Sequence, residues 1–418
     1  MERERPRWGN GASGAGAPTA TPVPRCRRAG SGGAPEDHPV RTVGVEEELL
    51  VVDAAGRPTP RGPAALRVAA SRGEGETVGE HDHGGPGEGG DAAGARLVPE
   101  LKAQQVEFGT RVCERLDDVA AEVRHWRQRA DAAARAVGAR VAALASSPVA
   151  VEPVTTPGER YALMTETFGL TALEQLTCGC HVHVSVDGDE EGVAVLDRIR
   201  VWLPVLTALS ANSPFWLGRD SGHASYRAQA WGRWPSAGPT EPFGSAEGYH
   251  GVVEQLLASG TIVDAGMVYF DARLSERWPT VEVRTADVLL HAEHAVVLAG
   301  LVRGLVETAA REWRAGHPAP RVRSELLRVA GWRASRSGLD GELVHPASGR
   351  PAPAAAVVAA LLDHVGEALV ACGDDARVRA GVADLVRGGT GAAFQRRVHR
   401  ETGELAAVVR AAVTATRV

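Results

Sequence analysis

Between residues 42 and 53 the chain reads TVGVEEELLVVD, an apolar strand pattern that carries three adjacent glutamates. A carboxylate buried without a partner costs several kcal/mol, so any fold of this chain must supply partners for Glu46, Glu47 and Glu48. Side chains on a strand alternate faces. Glu46 and Glu48 therefore share one side, and Glu47 points with Val43, Val45, Leu49 and Val51 to the other. Two carboxylates one strand repeat apart raise each other's pKa unless a cation lies between them.

Three further segments repeat this pattern. In TCGCHVHVSV, Cys178, Cys180, Val182, Val184 and Val186 form an apolar face, opposite Thr177, Gly179, His181, His183 and Ser185. TVEVRTADV sets Val281 and Val283 against Glu282 and Arg284, and ELKAQQVEFGT puts Gln105 and Glu107 on one side. Glu100 lies seven residues before Glu107, so a regular strand would aim it oppositely; a bulge or turn near Lys102 is needed to bring both to one place. Taken singly, each segment is accounted for by a half-exposed strand with its polar residues wet. Repeated over four strands, the pattern gives a sheet face lined with carboxylate and imidazole, which is costly unless it holds divalent cations. Mostly oxygen donors with few histidines suit Mg²⁺ or Mn²⁺ better than zinc. Arg284 beside the cluster reads as a clamp for phosphate or carboxylate. Metal, phosphate and arginine together point to phosphoryl transfer.

The rest of the chain bounds the possibilities. At 418 residues, 44% apolar and 23% charged, it is long enough for a large core. The net charge of -6 argues against nucleic acid or an anionic membrane as partner and favours small molecules. No run of about 18 apolar residues offers a membrane span, and the charged start MERERPRWGN does not read as an export signal. Five cysteines without disulfide or zinc spacing fit a reducing cytoplasm.

Residues 1–39, poor in large apolar side chains, read as a disordered tail in which RCRR at 25–28 is a solvated charge run. Residues 40–418 read as one catalytic domain interrupted by a Gly-rich surface loop at 72–94, whose HDH at 81–83 has no rigid support for a metal. Helical periodicity covers 112–144, then 190–210 with a break at Pro204, then 291–314; from 320 onward the pattern is wholly helical, at 320–332, 351–372, 375–387 and 391–414. Few strands at irregular spacing favour an α+β fold with an antiparallel or mixed sheet, mainly helical from 291 to 418.

In the segment 212–243, Arg219, Arg227 and Arg233 alternate with Phe215, Trp216, Tyr226, Trp231, Trp234 and Phe243. This composition suits a small-molecule pocket and equally an aromatic satellite core. Arg219 and Arg227 are candidate phosphate or carboxylate contacts. No GxxxxGK[ST] loop, no GxGxxG after a strand and no GxSxG elbow occurs. GGTGAAFQRR at 388–397 reads as a helix start.

Taken in order, TVGVEEELLVVD, ELKAQQVEFGT, CGCHVHVSV, NSPFWLGRDSGHASYR with WPSAGPTEPF, and RWPTVEVRTADV resemble the carboxylate-amine ligases of the glutamate-cysteine ligase type 2 family. GAAFQRR matches only loosely, and neither the tail nor the 72–94 insertion is part of the resemblance. The resemblance implies a glutamine synthetase-like antiparallel sheet whose concave face binds Mg²⁺ and ATP. It implies Glu46, Glu48, Glu107, Glu282 and Glu100 as metal ligands, completed by His181 or His183, between which strand alternation does not choose. It further implies Arg284 at the transferred phosphoryl group and Arg227 at nucleotide phosphates or a substrate carboxylate. The implied reaction activates a carboxylate, in first place the γ-carboxylate of glutamate, as an acyl phosphate that a small amine such as cysteine attacks. A two-metal hydrolase and a non-catalytic metabolite binder are the competing readings.

Overall fold

The computed structural model describes residues 40–77 and 95–417. The expected tail, the RCRR run, the HDH triplet and most of the 72–94 loop lie outside these residues.

The glutamate-bearing strand is central to the sheet. β1 (Val43–Val52) pairs antiparallel with β3 (Gln105–Gly109) on one side and with β5 (Gly179–Ser185) on the other. β2 (Leu97–Val98) extends the sheet beyond β3, and β4 (Arg140–Ala142) pairs with the far end of β1. A short hairpin, β6 (Phe215–Trp216) and β7 (Arg219–Asp220), stands apart from it. β8 (Ala272–Leu274) and β9 (Thr280–Asp287) close the other edge, giving seven strands in the order β2-β3-β1-β5-β9-β8 with β4 off that path.

The pairings bring the polar positions into register. Glu46 stands opposite His181, Glu48 opposite Glu107, and His183 opposite Glu282. A bulge interrupts β5–β9: Val182 pairs with Val283 and Cys180 with Ala286, so one residue of β5 faces two of β9. The extra residue reverses the alternation of β9 beyond it. Asp287 thus comes opposite Gly179, on the glutamate side of the sheet.

The apolar face is covered by the helices Leu116–Ala136 and Ala292–Arg314. Glu47 faces this side, fully buried, and is met by Arg127 of the first helix: Nε and Nη2 donate to its two oxygens at 2.7 Å each. The same guanidinium donates to the carbonyls of Leu289 and Leu290. The middle glutamate is therefore a structural pairing, with each of its oxygens occupied.

Sequence periodicity overreached in two helical regions of the chain. The expected helix at 112–144 is confined to Leu116–Ala136; Gly138, at φ 71°, ends the turn, and the following residues pair with β1 as β4. A strand needs only a partner, and Val141 with its neighbours satisfies a strand as well as a helix. The region beyond 320 is helical over Ser324–Ser337, Ala354–His364, Gly366–Cys372, Asp375–Gly388, Gly391–Thr402 and Leu405–Ala415. It also contains a hairpin, β10 (Glu342–Val344) with β11 (Pro351–Pro353), where the pattern was expected to be wholly helical. The break expected at Pro204 separates the helices Asp189–Ile199 and Leu203–Ser210. Among the described residues no single helix is long and apolar enough to cross a membrane.

Candidate active site

The polar face of the sheet lines a cavity of about 450 Å³ that contains Glu46, Glu48, Glu100, Glu107, His181 and Arg284 together. The expected turn near Lys102 is present, the Gln105 amide donating to the Lys102 carbonyl at 2.9 Å. That reversal is what lets Glu100, in the connection after β2, share the cavity with Glu107 on β3.

Two groups of three side chains offer donor atoms all within 4.8 Å of one another: Glu46, His183 and Glu282, and Glu46, Glu107 and His181. Glu46 is common to both. Its carboxylate lies 3.3 Å from His181 Nδ1 and 3.4 Å from His183 Nε2. His181 Nε2 and His183 Nε2 are both buried without a hydrogen-bond partner. Unpartnered imidazole nitrogens among carboxylate oxygens are the donor set a divalent cation takes. The residues therefore fit one or two such ions, with each histidine in its own group.

The electrostatics show how far the protein leaves these charges unbalanced. Burial pushes the Glu107 carboxyl up, and the neighbouring Glu46, Glu100 and Glu48 push it further, well above the ordinary range. Burial also raises Glu48, against the pull of Arg227 and of the Gly179 amide, which donates to it at 2.9 Å. For Glu46, burial acts upward but His183 and His181 outweigh it and hold the carboxyl well below its usual value. His183 is correspondingly raised, Glu46 overcoming the effect of burial. Burial and then Arg284 bring His181 down to about 4, leaving its ring neutral and able to act as a donor ligand. Glu282 is held far below its usual value because Arg284 and Arg273 outweigh its burial.

Arg273 was not foreseen. It stands opposite Glu282 on β8, and its Nε donates to that carboxylate at 2.7 Å, while Nη1 is held by the carbonyls of Gly266 and Val268. Arg284 pairs with the other oxygen of Glu282. The guanidinium of Arg284 lies 5.9 Å from the ring centres of both Trp231 and Tyr269, which with Trp234 form the aromatic wall of the cavity. The aromatic segment is thus both pocket and core: Trp231 and Trp234 line the cavity, whereas Phe215 is buried beside Ser146 and His399.

Arg227 is fully buried on the short helix Tyr226–Trp231, 5.5 Å from the Trp231 ring, with Nη2 donating to the Arg284 carbonyl at 3.3 Å. Only a glycine leaves room for it, since a Cβ at Gly179 would sit 2.4 Å from its Nη2. Asp287 anchors that helix by accepting from the Ser213 and Ser225 hydroxyls and the Asn212 amide. Asn212 is held in turn by Gln395 from GAAFQRR. Arg227 acts on Glu48 but does not line the cavity. Arg219 is a correction: it is exposed on β7 and lies outside the cavity lining, because the β6–β7 turn carries it to the surface. Arg233 pairs with Glu174 at 2.7 Å. Cys178 and Cys180 are buried with thiols pushed well up by that burial, as structural residues rather than nucleophiles.

Comparison with known proteins agrees with this architecture. The model of glutamate-cysteine ligase family 2 matches residues 42–411. A Streptomyces coelicolor protein provisionally named glutamate–cysteine ligase 2 is 53% identical over 378 residues, 90% of this chain and 99% of that one. A Paenarthrobacter aurescens protein provisionally named glutamate–cysteine ligase 2-1 is 51% identical over 378 residues, 90% and 95% of the two chains. Among solved structures, the glutamate–cysteine ligase of Francisella tularensis in complex with AMP shares the fold at a TM-score of 0.61 and 13% identity, covering 91% of this chain and 89% of that one.

Proposed function

Because the chain belongs to glutamate-cysteine ligase family 2, we propose that this amide-forming ligase joins the γ-carboxylate of glutamate to a small amine, cysteine in first place, with ATP as co-substrate. The observation that carries the reading is the pair of Glu/His groups sharing Glu46, with Glu46, Glu107 and His181 lining one cavity beside Arg284. In the proposed sequence a carboxylate oxygen of the first substrate attacks the γ-phosphorus of ATP and ADP leaves. The amine nitrogen then attacks the acyl carbon, phosphate leaves and the amine gives up a proton.

In such a reaction the protein chiefly aligns the reactants and neutralises charge. Glu46, Glu107 and His181 would hold one Mg²⁺ or Mn²⁺, and Glu46, His183 and Glu282 a second, with Glu48 and Glu100 beside them. The ions would neutralise the triphosphate and withdraw charge from its oxygens. Arg284, already steered by Glu282 and backed by aromatic rings, would meet developing negative charge on a phosphoryl group. Arg273 fixes the Glu282 carboxylate from the opposite side and acts as a positioning residue. Trp231, Trp234 and Tyr269 line one side of the cavity and would keep water from it.

The test is to incubate the protein with ATP, Mg²⁺, glutamate and a panel of amines, following ADP release and the product mass. Amine-dependent ADP release with a product at the mass of the glutamyl amide is expected. Absence of that product for every amine, together with metal-dependent hydrolysis of a phosphate ester, overturns the proposal.

A further inference from the structure

Behind Trp231 and Arg284, which line both spaces, lies a second cavity of about 290 Å³. The β9 bulge gives it two consecutive residues, Arg284 and Thr285, and Arg227 completes that wall. The positive charges of Arg284 and Arg227 are already directed at Glu282 and Glu48. Even so, the Nε atoms of both arginines and the Thr285 hydroxyl are buried with no hydrogen-bond partner. Two residues of opposite charge, Asp271 and Arg328, complete the lining. Asp271, just before β8, makes no side-chain hydrogen bond or ion pair seen among the described residues, and burial pushes its carboxyl up to about 6. Arg328, on the helix Ser324–Ser337, is exposed, and its charge acts on Asp271.

An acid with no hydrogen bond, an exposed guanidinium beside it and buried idle donors in one cavity suit a ligand that carries both charges. Small-molecule sites start at about 300 Å³, so this space suits a ligand far smaller than a nucleotide. We propose that the second cavity binds a small free α-amino acid, with its ammonium on Asp271 and its carboxylate on Arg328. The site does not depend on the ligase reading, because the charges that recognise the ligand are not those of the Glu/His face.

The test is direct binding by calorimetry or ligand-observed NMR on the full chain with EDTA and no nucleotide. The probes are glycine and L-alanine, set against propionate and alanine methyl ester. Alanine or glycine is expected to bind and the two controls are not. Asp271→Asn and Arg328→Gln should each weaken binding by about tenfold or more, the scale of a lost charged hydrogen bond. Glu107→Gln, which alters only the first cavity, should leave it unchanged. Arg328 is exposed, so Arg328→Gln carries the test if Asp271→Asn fails to fold. The proposal is overturned if no amino acid binds, if propionate binds equally, if both variants bind as the parent does, or if Glu107→Gln alone abolishes binding.

Discussion

Glu47 and its two neighbours on β1 are the same residue type in adjacent positions, yet the sheet treats them oppositely. Behind the sheet, Glu47 meets one guanidinium that occupies both of its oxygens. In front, Glu46, Glu48, Glu100 and Glu107 share a cavity in which two of the lining arginines, Arg284 and Arg273, are already engaged with Glu282. The rear face is electrically closed by the protein itself. The front face is left short of positive charge, and a surface built this way is completed by something from outside the chain.

The sharpest way to break the contrast is on the front face. Glu107→Gln removes a donor without removing a protein partner, so turnover should fall by at least about a thousandfold, or 4 kcal/mol, with little change in thermal unfolding. Steady-state rates and calorimetry on one preparation check both halves, and a variant that unfolds early while retaining its rate would reverse the distinction. Behind the sheet the expectation is the opposite. Arg127→Met strands the Glu47 charge and should cost about 3 to 5 kcal/mol of stability, measured by denaturant unfolding, with the rate of the remaining folded protein nearly unchanged. Replacing Glu47 and Arg127 together by Leu and Met should recover most of that loss.

Adding Mg²⁺ to the metal-free protein sharpens the comparison by supplying what the front face lacks. At about a hundred times its dissociation constant the ion should add about 2.7 kcal/mol of stability. The resulting rise in Tm should shrink in Glu107→Gln and persist in the doubly substituted rear face. The smallest effect concerns a carboxylate in neither group. Asp271, raised to about 6 by burial, is protonated in both folded and unfolded states below about pH 4 and is charged in both above about pH 6. Its cost to stability therefore builds as the pH rises from about 4 to about 6 and is fully present above that. Asp271→Asn should be more stable than the parent at pH 7.5 by on the order of 1 kcal/mol, with the gap closing near pH 4.

Alternation along single strands was enough to bring Glu46, Glu48, Glu107, His181 and Glu282 to one face, because period two is a local property of the chain. It could also state what Glu100 required, a reversal near Lys102, which the turn supplies. What it could not give was partnership across the sequence. Arg127 lies 80 residues from Glu47, and nothing on its helix marks it as different from the other arginines there. Arg273 was nearer to hand: DARLSERWPTVEVRT contains two short strand runs around a Pro-containing turn, a hairpin signal that places Arg273 beside Glu282. The misplaced end of the helix at 112–144 has the same origin, since Val141 joins a strand only because β1 offers it an edge.

The bulge in β9 has a consequence that belongs to chain length rather than to chemistry. Upstream of it the strand contributes Glu282 and Arg284; downstream it must deliver Asp287 to the seam where Ser213, Ser225 and Asn212 converge. A single surplus residue acts as a phase shift between these two assignments. A strand that ran these same residues without the bulge would swing Asp287 into the oily side of the sheet, uncoupling the helix that carries Arg227 although every side chain was retained. In this strand the path of the backbone is as much a part of the design as the identity of its residues.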